Sequence, residues 1–138
     1  MSDVFSSEKR HEVMSLIKSK NSKAELIVFR YLRNQGVYHQ KHYKRVIGTP
    51  DIALPRKKKA VFVDGDFWHG RGIEKLMTKR GVDDFWTLKI LRNIERDKIT
   101  HEALLDLGWE ILNVWESDLN RKRTRETTLT TIKEFLTT

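Results

Sequence analysis

Residues 48–70 read "GTPDIALPRKKKAVFVDGDFWHG", and the fold turns on this stretch. Gly48 and Pro50 punctuate a turn, Asp51 to Leu54 is a short strand, and Pro55 ends it. After the charged turn "RKKK", Ala60 to Asp64 runs as a continuous apolar strand, as expected for the buried centre of a sheet. Upstream, "VYHQKHYKRV" (residues 37–46) alternates loosely and is expected to be a further strand, which makes the three segments a meander. Upstream again, "NSKAELIVFRYLRNQG" places Ser22 and Glu25 in the spacing of a capping box and Gly36 at the stop, predicting a helix over 23–35. Residues 5–19 set Val13, Leu16 and Ile17 at helical spacing in a polar sequence, the pattern of a short amphipathic arm with a basic face.

Downstream, Gly65 to Val82 has several glycines and no clear periodicity, so a long loop is expected, and loops of that length are often functional. A long helix follows over about 83–107, stopped by Gly108. "WEILNVW" (109–115) is a fourth strand, the basic run "RKRTR" comes next, and a last amphipathic helix lies near 126–136. The order is helix, helix, three strands, helix, strand, helix, which predicts a mixed α/β domain with a central sheet.

A chain of 138 residues is enough for one hydrophobic core. Its apolar runs fall far short of the roughly 18 residues needed to cross a bilayer, and "MSDVFSSEKR" has no apolar leader, so a soluble intracellular protein is expected. Zero cysteines excludes disulfides and thiolate zinc sites. Lys plus Arg total 27 against 19 acidic residues, a formal charge of +8, which points to a polyanion such as nucleic acid or an anionic membrane surface.

Four residues are candidates for chemistry. Asp51 follows Thr49-Pro50 at a strand start, where a hard cation such as Mg²⁺ could reach its carboxylate; an Asp after Pro is also a common turn residue that bonds its own backbone. The hairpin would bring the backbone at Val63, and the carboxylate of Asp64 or Asp66, near it. His69 sits in a glycine-flanked loop, with an unperturbed pKa close to the working range of a general acid or base. Asp97 and Trp86 are eleven residues apart on the long helix, and at ~100° per residue they project from nearly the same side, with Ile90, Asn93 and His101 along it. A solvated pairing of Asp97 with Arg96, Lys98 or Asn93 is the plainer reading. Glu25 is explained by its cap, although a helix N-terminus can also face a site.

Phe67 and Trp68 are consecutive in an irregular segment, so both cannot easily enter one core and at least one should be exposed. Large apolar side chains on a loop among basic residues are what a DNA-distorting protein uses as wedges, and Trp86 could join them; capping the core is the alternative for all three. Trp109 and Trp115 read as core residues. Lys and Arg of the arm, of "HQKHYKR", "RKKK" and "RKRTR", and Arg71, Lys75, Lys79 and Arg80 supply candidate phosphate contacts.

The blocks "DVFSSEKRHEVMSLIKSKNSKAE", "GTPDIALP", "VFVDGDFWHG", "DFWTLKILRNIERD" and "LGWEILNVWESDL", in this order over residues 3–119, resemble the very-short-patch repair (Vsr) endonucleases. The resemblance implies a restriction-endonuclease-like core, with a central mixed sheet of about four strands flanked by helices. It implies one nuclease domain over 1–138, with residues 1–20 as an arm embracing the duplex and 120–138 as a basic C-terminal helix. The implied activity is Mg²⁺-dependent nicking of one strand of duplex DNA beside a T:G mismatch, by a cytoplasmic monomer of bacterial or phage origin with mismatch-repair proteins as candidate partners. Asp51 would bind the metal with the backbone carbonyl of Val63, His69 would be the acid/base or phosphate contact supported by Asp97, and Glu25 would hold water or metal. Phe67, Trp68 and Trp86 match the DNA wedge. A related nuclease with a restriction or mobile-element role and another site preference is the alternative, and a non-catalytic DNA-bending module a further one.

The chain departs from the family at its structural zinc. Asp66, Arg71, Ile73 and Ser117 stand where the resemblance places zinc ligands, so no structural zinc is expected and the loop after His69 must be held by packing and polar contacts, or be mobile when DNA is absent.

Overall fold

The structure, a computed structural model, describes residues 22–138. The arm expected over 5–19 lies outside the described residues. The described elements are, in order, α1 (Lys23–Asn34), β1 (Gln40–Lys41), β2 (Ile52–Leu54), β3 (Lys59–Asp64), α2 (Ile73–Arg80), α3 (Phe85–Asp106), β4 (Glu110–Trp115), α4 (Glu116–Asn120) and α5 (Lys122–Thr137).

The sheet runs β1-β2-β3-β4. The first three strands form the expected antiparallel meander, with Ile52 opposite Val61 and Leu54 opposite Lys59, and β4 joins β3 in parallel, with Val63 opposite Val114. A parallel neighbour requires a crossover, and α3 supplies it. Every residue of β3 is buried, and the two-residue period of a strand divides its side chains between two cores. Val61 and Val63 pack with Val28, Leu32, Leu119, Ile132 and Leu136 of α1, α4 and α5; Ala60 and Phe62 pack with Leu104 of α3 and with Trp109. Helices therefore cover both faces of a mixed α/β sheet, as the unbroken apolar run of β3 from Ala60 to Val63 requires.

Lys59 and Asp64, at the two ends of β3, are its buried charged residues; Lys59 is held at the end of a helix. Its Nζ reaches the Phe135 carbonyl at 2.6 Å and the Thr138 hydroxyl at 2.8 Å, so its charge sits on the carbonyl-rich C-terminal end of α5. α1 begins on the predicted capping box, with the Ser22 hydroxyl accepting from the Glu25 N–H at 3.2 Å and the Glu25 carboxylate accepting from the Ser22 N–H at 2.9 Å.

Three sequence expectations change. The strand expected over 37–46 shrinks to Gln40–Lys41 because His42 turns into the left-handed region, at φ 47°. Asp51 precedes the β2 strand rather than beginning it. The loop expected over 65–82 contains α2, a helix with no buried residue and hence little apolar periodicity to betray it.

Candidate active site

α3 is the bench on which the site is assembled. Trp86, Ile90, Asn93, Asp97 and His101 form one stripe along it, each meeting a different part of the opposing loop and sheet. The Asn93 amide donates to the Trp68 carbonyl at 2.9 Å, Asp97 Oδ2 lies 2.6 Å from His69 Nδ1, and the His101 ring packs on Phe62 at 5.3 Å between centroids. Gly70 lets the loop come this close. It has a φ of 87°, and a Cβ there would run into the Ile94 side chain of α3.

Asp97 is thus paired with His69 rather than with its helix neighbours Arg96, Lys98 or Asn93, although its side chain is still 32 % exposed. Its carboxylate accepts the Nδ1 proton of His69, which fixes the tautomer and leaves the imidazole lone pair on Nε2. Asp64, at the end of β3, lies 3.8 Å from the same Nδ1 and accepts a hydrogen bond from the Asn113 amide at 2.8 Å. Burial pushes the Asp64 carboxyl up, against the lowering pull of His69 and of Asn113.

Asp51 forms the second centre. Its Oδ2 accepts from the Val63 N–H at 2.7 Å, a contact across the β2–β3 hairpin. Of the two acids that the hairpin could bring near, it is Asp64 that bears on Asp51. Asp66 turns away, and its two oxygens accept from the N–H and hydroxyl of Ser117. The Asp51 carboxyl is pushed up to about 8, first by burial, then by a hydrogen bond shared with Glu25 and by the charges of Glu25 and Asp64. Glu25 is buried, so its carboxylate both caps α1 and faces the site.

His42 joins this centre, and the sequence did not single it out. Glu25, His42 and Asp51 each offer a ligand atom within 4.8 Å of the others, the one such grouping among the described residues. Such a crowd of carboxyls with an imidazole fits a divalent cation, whose charge would offset the burial and the mutual repulsion that raise Asp51. Both centres line a cleft of about 310 Å³, shared with Thr49, Arg96, Thr100 and Glu116.

Beside the cleft, the rings of Phe67, Trp68 and Trp86 contact one another, with centroids 5.0 to 6.3 Å apart. Phe67 is 41 % exposed and Trp86 only 5 %, so Phe67 is presented to solvent while Trp86 anchors the group in the core. Trp109 is buried, whereas Trp115 is half-buried beneath the Arg71 guanidinium.

The loop after β3 is tied down by polar contacts. Arg71 Nη1 donates to Asp66 at 3.2 Å, to the Ser117 hydroxyl at 3.1 Å and to Asp118 at 3.3 Å. Burial acts to raise the Asp66 carboxyl, but the hydrogen bonds from Ser117 and Arg71 outweigh it and hold the group below the usual range. Three of the four residues at the expected zinc-ligand places therefore form one hydrogen-bonded cluster, joining the loop to the start of α4.

Residues 2–75, more than half of the chain, match the model of the family described as DNA mismatch endonuclease Vsr. The chain belongs to the Vsr family. It is 39 % identical over 122 residues to the type II nicking enzyme V.NmeAIP of Neisseria meningitidis, covering 88 % of this chain and 87 % of that one. It is 38 % identical to the type II nicking enzyme V.HpaIIP of Haemophilus parainfluenzae, covering 85 % and 84 %. Against the DNA mismatch endonuclease Vsr of Escherichia coli it is 28 % identical over 138 residues, covering 99 % and 88 %. The α/β core with its four-stranded mixed sheet is the restriction-endonuclease-like core of the Vsr family. Among the described residues no helix is long and apolar enough to cross a membrane.

Proposed function

We propose that this member of the Vsr family nicks one strand of duplex DNA at or near a T:G mismatch, by Mg²⁺-dependent hydrolysis of one phosphodiester. Membership of the family makes the chain a DNA endonuclease. What carries the hydrolytic reading is one observation: an acid cluster at Asp51 and an oriented His69–Asp97 pair line the same cleft.

Asp51 would hold the cation with the Val63 carbonyl, and Glu25 would hold water or metal beside it. When bound, Mg²⁺ supplies positive charge that polarises the scissile phosphate and eases deprotonation of water. His69 takes the proton of the attacking water on Nε2, and Asp97, already accepting from Nδ1, stabilises the imidazolium that results. The water oxygen bonds to phosphorus as the bridging P–O bond breaks, and the departing oxygen leaves with a proton from solvent or from His69. Arg96, on the cleft wall, is placed to meet the phosphate charge. Phe67 is the wedge tip, backed by Trp68 and Trp86; unstacking costs a few kcal/mol, which new contacts offset. Residues 1–20 would embrace the duplex. The Asp66–Arg71–Ser117 cluster takes the place of a structural zinc.

A second reading has a specific observation behind it. The relatives at 36 to 39 % identity carry the name type II nicking enzyme, whereas the relative named DNA mismatch endonuclease Vsr is at 28 %. The chain would then serve a restriction or mobile-element role with its own site preference. Incubation with Mg²⁺ and a panel of matched and mismatched duplexes, with both strands resolved, separates the two. Single-strand cutting confined to T:G duplexes supports the first, cutting of matched duplexes the second, and binding with no cutting on any duplex refutes both.

A further inference from the structure

His42 is placed at some cost. It is a non-glycine residue at φ 47°, in the left-handed region that side chains disfavour. Its ring sits edge-on to Phe29 at 5.7 Å, and its N–H donates to the Asp51 carbonyl at 2.9 Å, so backbone and core together hold it against the Asp51 segment. Only 13 % of the side chain is exposed, and Nε2 is buried with no hydrogen-bond partner among the described residues. The other ring nitrogen, Nδ1, lies 3.8 Å from Glu25 Oε2 and 3.8 Å from Asp51 Oδ1. These separations are longer than hydrogen bonds. They are the separations of atoms that share an ion, because two ligands each ~2.1 Å from one metal lie up to ~4.2 Å apart.

We infer that His42 is a direct nitrogen ligand of the divalent cation held at Asp51 and Glu25, and that it biases the site toward Mn²⁺ over Mg²⁺, an inference resting on the metal-dependent reading above. Carboxylate and water ligands alone serve Mg²⁺ and Mn²⁺ alike, whereas an imidazole nitrogen favours the transition ion. An all-oxygen set would not need a histidine here. A hydrogen bond to either carboxylate would have brought Nδ1 closer.

The test uses the full chain without DNA and Mn²⁺ as the probe. Mn²⁺ affinity is read from loss of the free-ion paramagnetic resonance signal, Mg²⁺ affinity by competition, and the ligand by pulsed resonance of ¹⁴N coupled to bound Mn²⁺. Wild type should show directly bound histidine nitrogen and prefer Mn²⁺. His42→Gln and His42→Ala should lose the ¹⁴N coupling and about tenfold or more in Mn²⁺ affinity, the scale on which metal-site partners act, with a smaller change for Mg²⁺. The Gln variant keeps size and polarity, and a circular dichroism melt matching wild type shows that it folds. His69→Ala controls for the other nearby imidazole and should keep the coupling. Coupling that persists in both His42 variants, or Mn²⁺ affinity unchanged in them while Asp51→Asn abolishes binding, overturns the His42 assignment alone. Mn²⁺ binding unaffected by Asp51→Asn overturns the metal reading itself.

Discussion

Replacing Asp51 by Asn should stabilise the metal-free protein. In the folded chain the carboxyl keeps its proton until about pH 8, because it is buried and crowded by Glu25 and Asp64, whereas its ordinary value is 3.8. Between those values the unfolded chain holds fewer protons than the folded one, so stability falls as pH rises. Each pH unit in that window is worth ~1.4 kcal/mol, which sets a ceiling of ~6 kcal/mol by pH 8. Asn carries no charge to bury, can still accept from the Val63 N–H and can donate to Glu25. The Val63 bond loses its charge assistance, and relaxation of the wild-type site removes part of the penalty, so a gain of ~3 kcal/mol at pH 8 is the working figure. Urea unfolding with a chelator present, followed at pH 5 and pH 8, reads this as a rise in midpoint of roughly 1–2 M for the variant at pH 8. The gap between variant and wild type should close toward pH 5. Mg²⁺ should then restore stability to wild type and do nothing for the variant, since only a binder of the native state stabilises it. A variant less stable than wild type at pH 8, or a gap that does not change with pH, would refute the electrostatic account.

Asp97→Asn keeps the size of the partner on His69 but removes the charge that stabilises an imidazolium, so kcat should fall about a hundredfold while duplex affinity measured by gel shift stays within a few-fold; an unchanged kcat would remove Asp97 from the chemistry. Phe67→Ala should weaken duplex binding by ~1–3 kcal/mol, the scale of a lost stacking contact, with metal affinity unaltered in the same preparation. Gly70→Ala introduces a Cβ at a φ of 87° against Ile94, and differential scanning calorimetry should show a Tm lower by roughly 10 °C, from a loss of ~2–4 kcal/mol.

Much of the scaffold was legible because local signals were strong. Ser22 and Glu25 announced the start of α1, and the unbroken apolar run at 60–63 announced a strand with both faces covered. The eleven-residue spacing of Trp86 and Asp97 placed them on one helical stripe, and the structure sets that stripe against Trp68 and His69. Other features depend on tertiary geometry that leaves no local trace. Asp64 ends β3 and Asp66 lies in the turn that follows, and the sequence could not say which bears on Asp51; the pairing of Asp66 with Ser117, fifty-one residues away, decides it. His42 is one of two histidines in a loosely alternating stretch, and only its left-handed backbone turns the ring toward Glu25. α2 reads as loop in the sequence because it buries nothing. Ser117 and Arg71 were visible as departures from a zinc site, but their hydrogen bonds to Asp66 needed the β3 and β4 ends to be brought side by side.

The most direct test of the account is single-turnover, strand-resolved nicking by wild type and Asp51→Ala in Mg²⁺, on a duplex that wild type cuts, with duplex affinity measured in parallel. Asp51→Ala should bind the duplex within a few-fold of wild type and leave both strands intact. Nicking by Asp51→Ala at a rate near that of wild type would contradict the account.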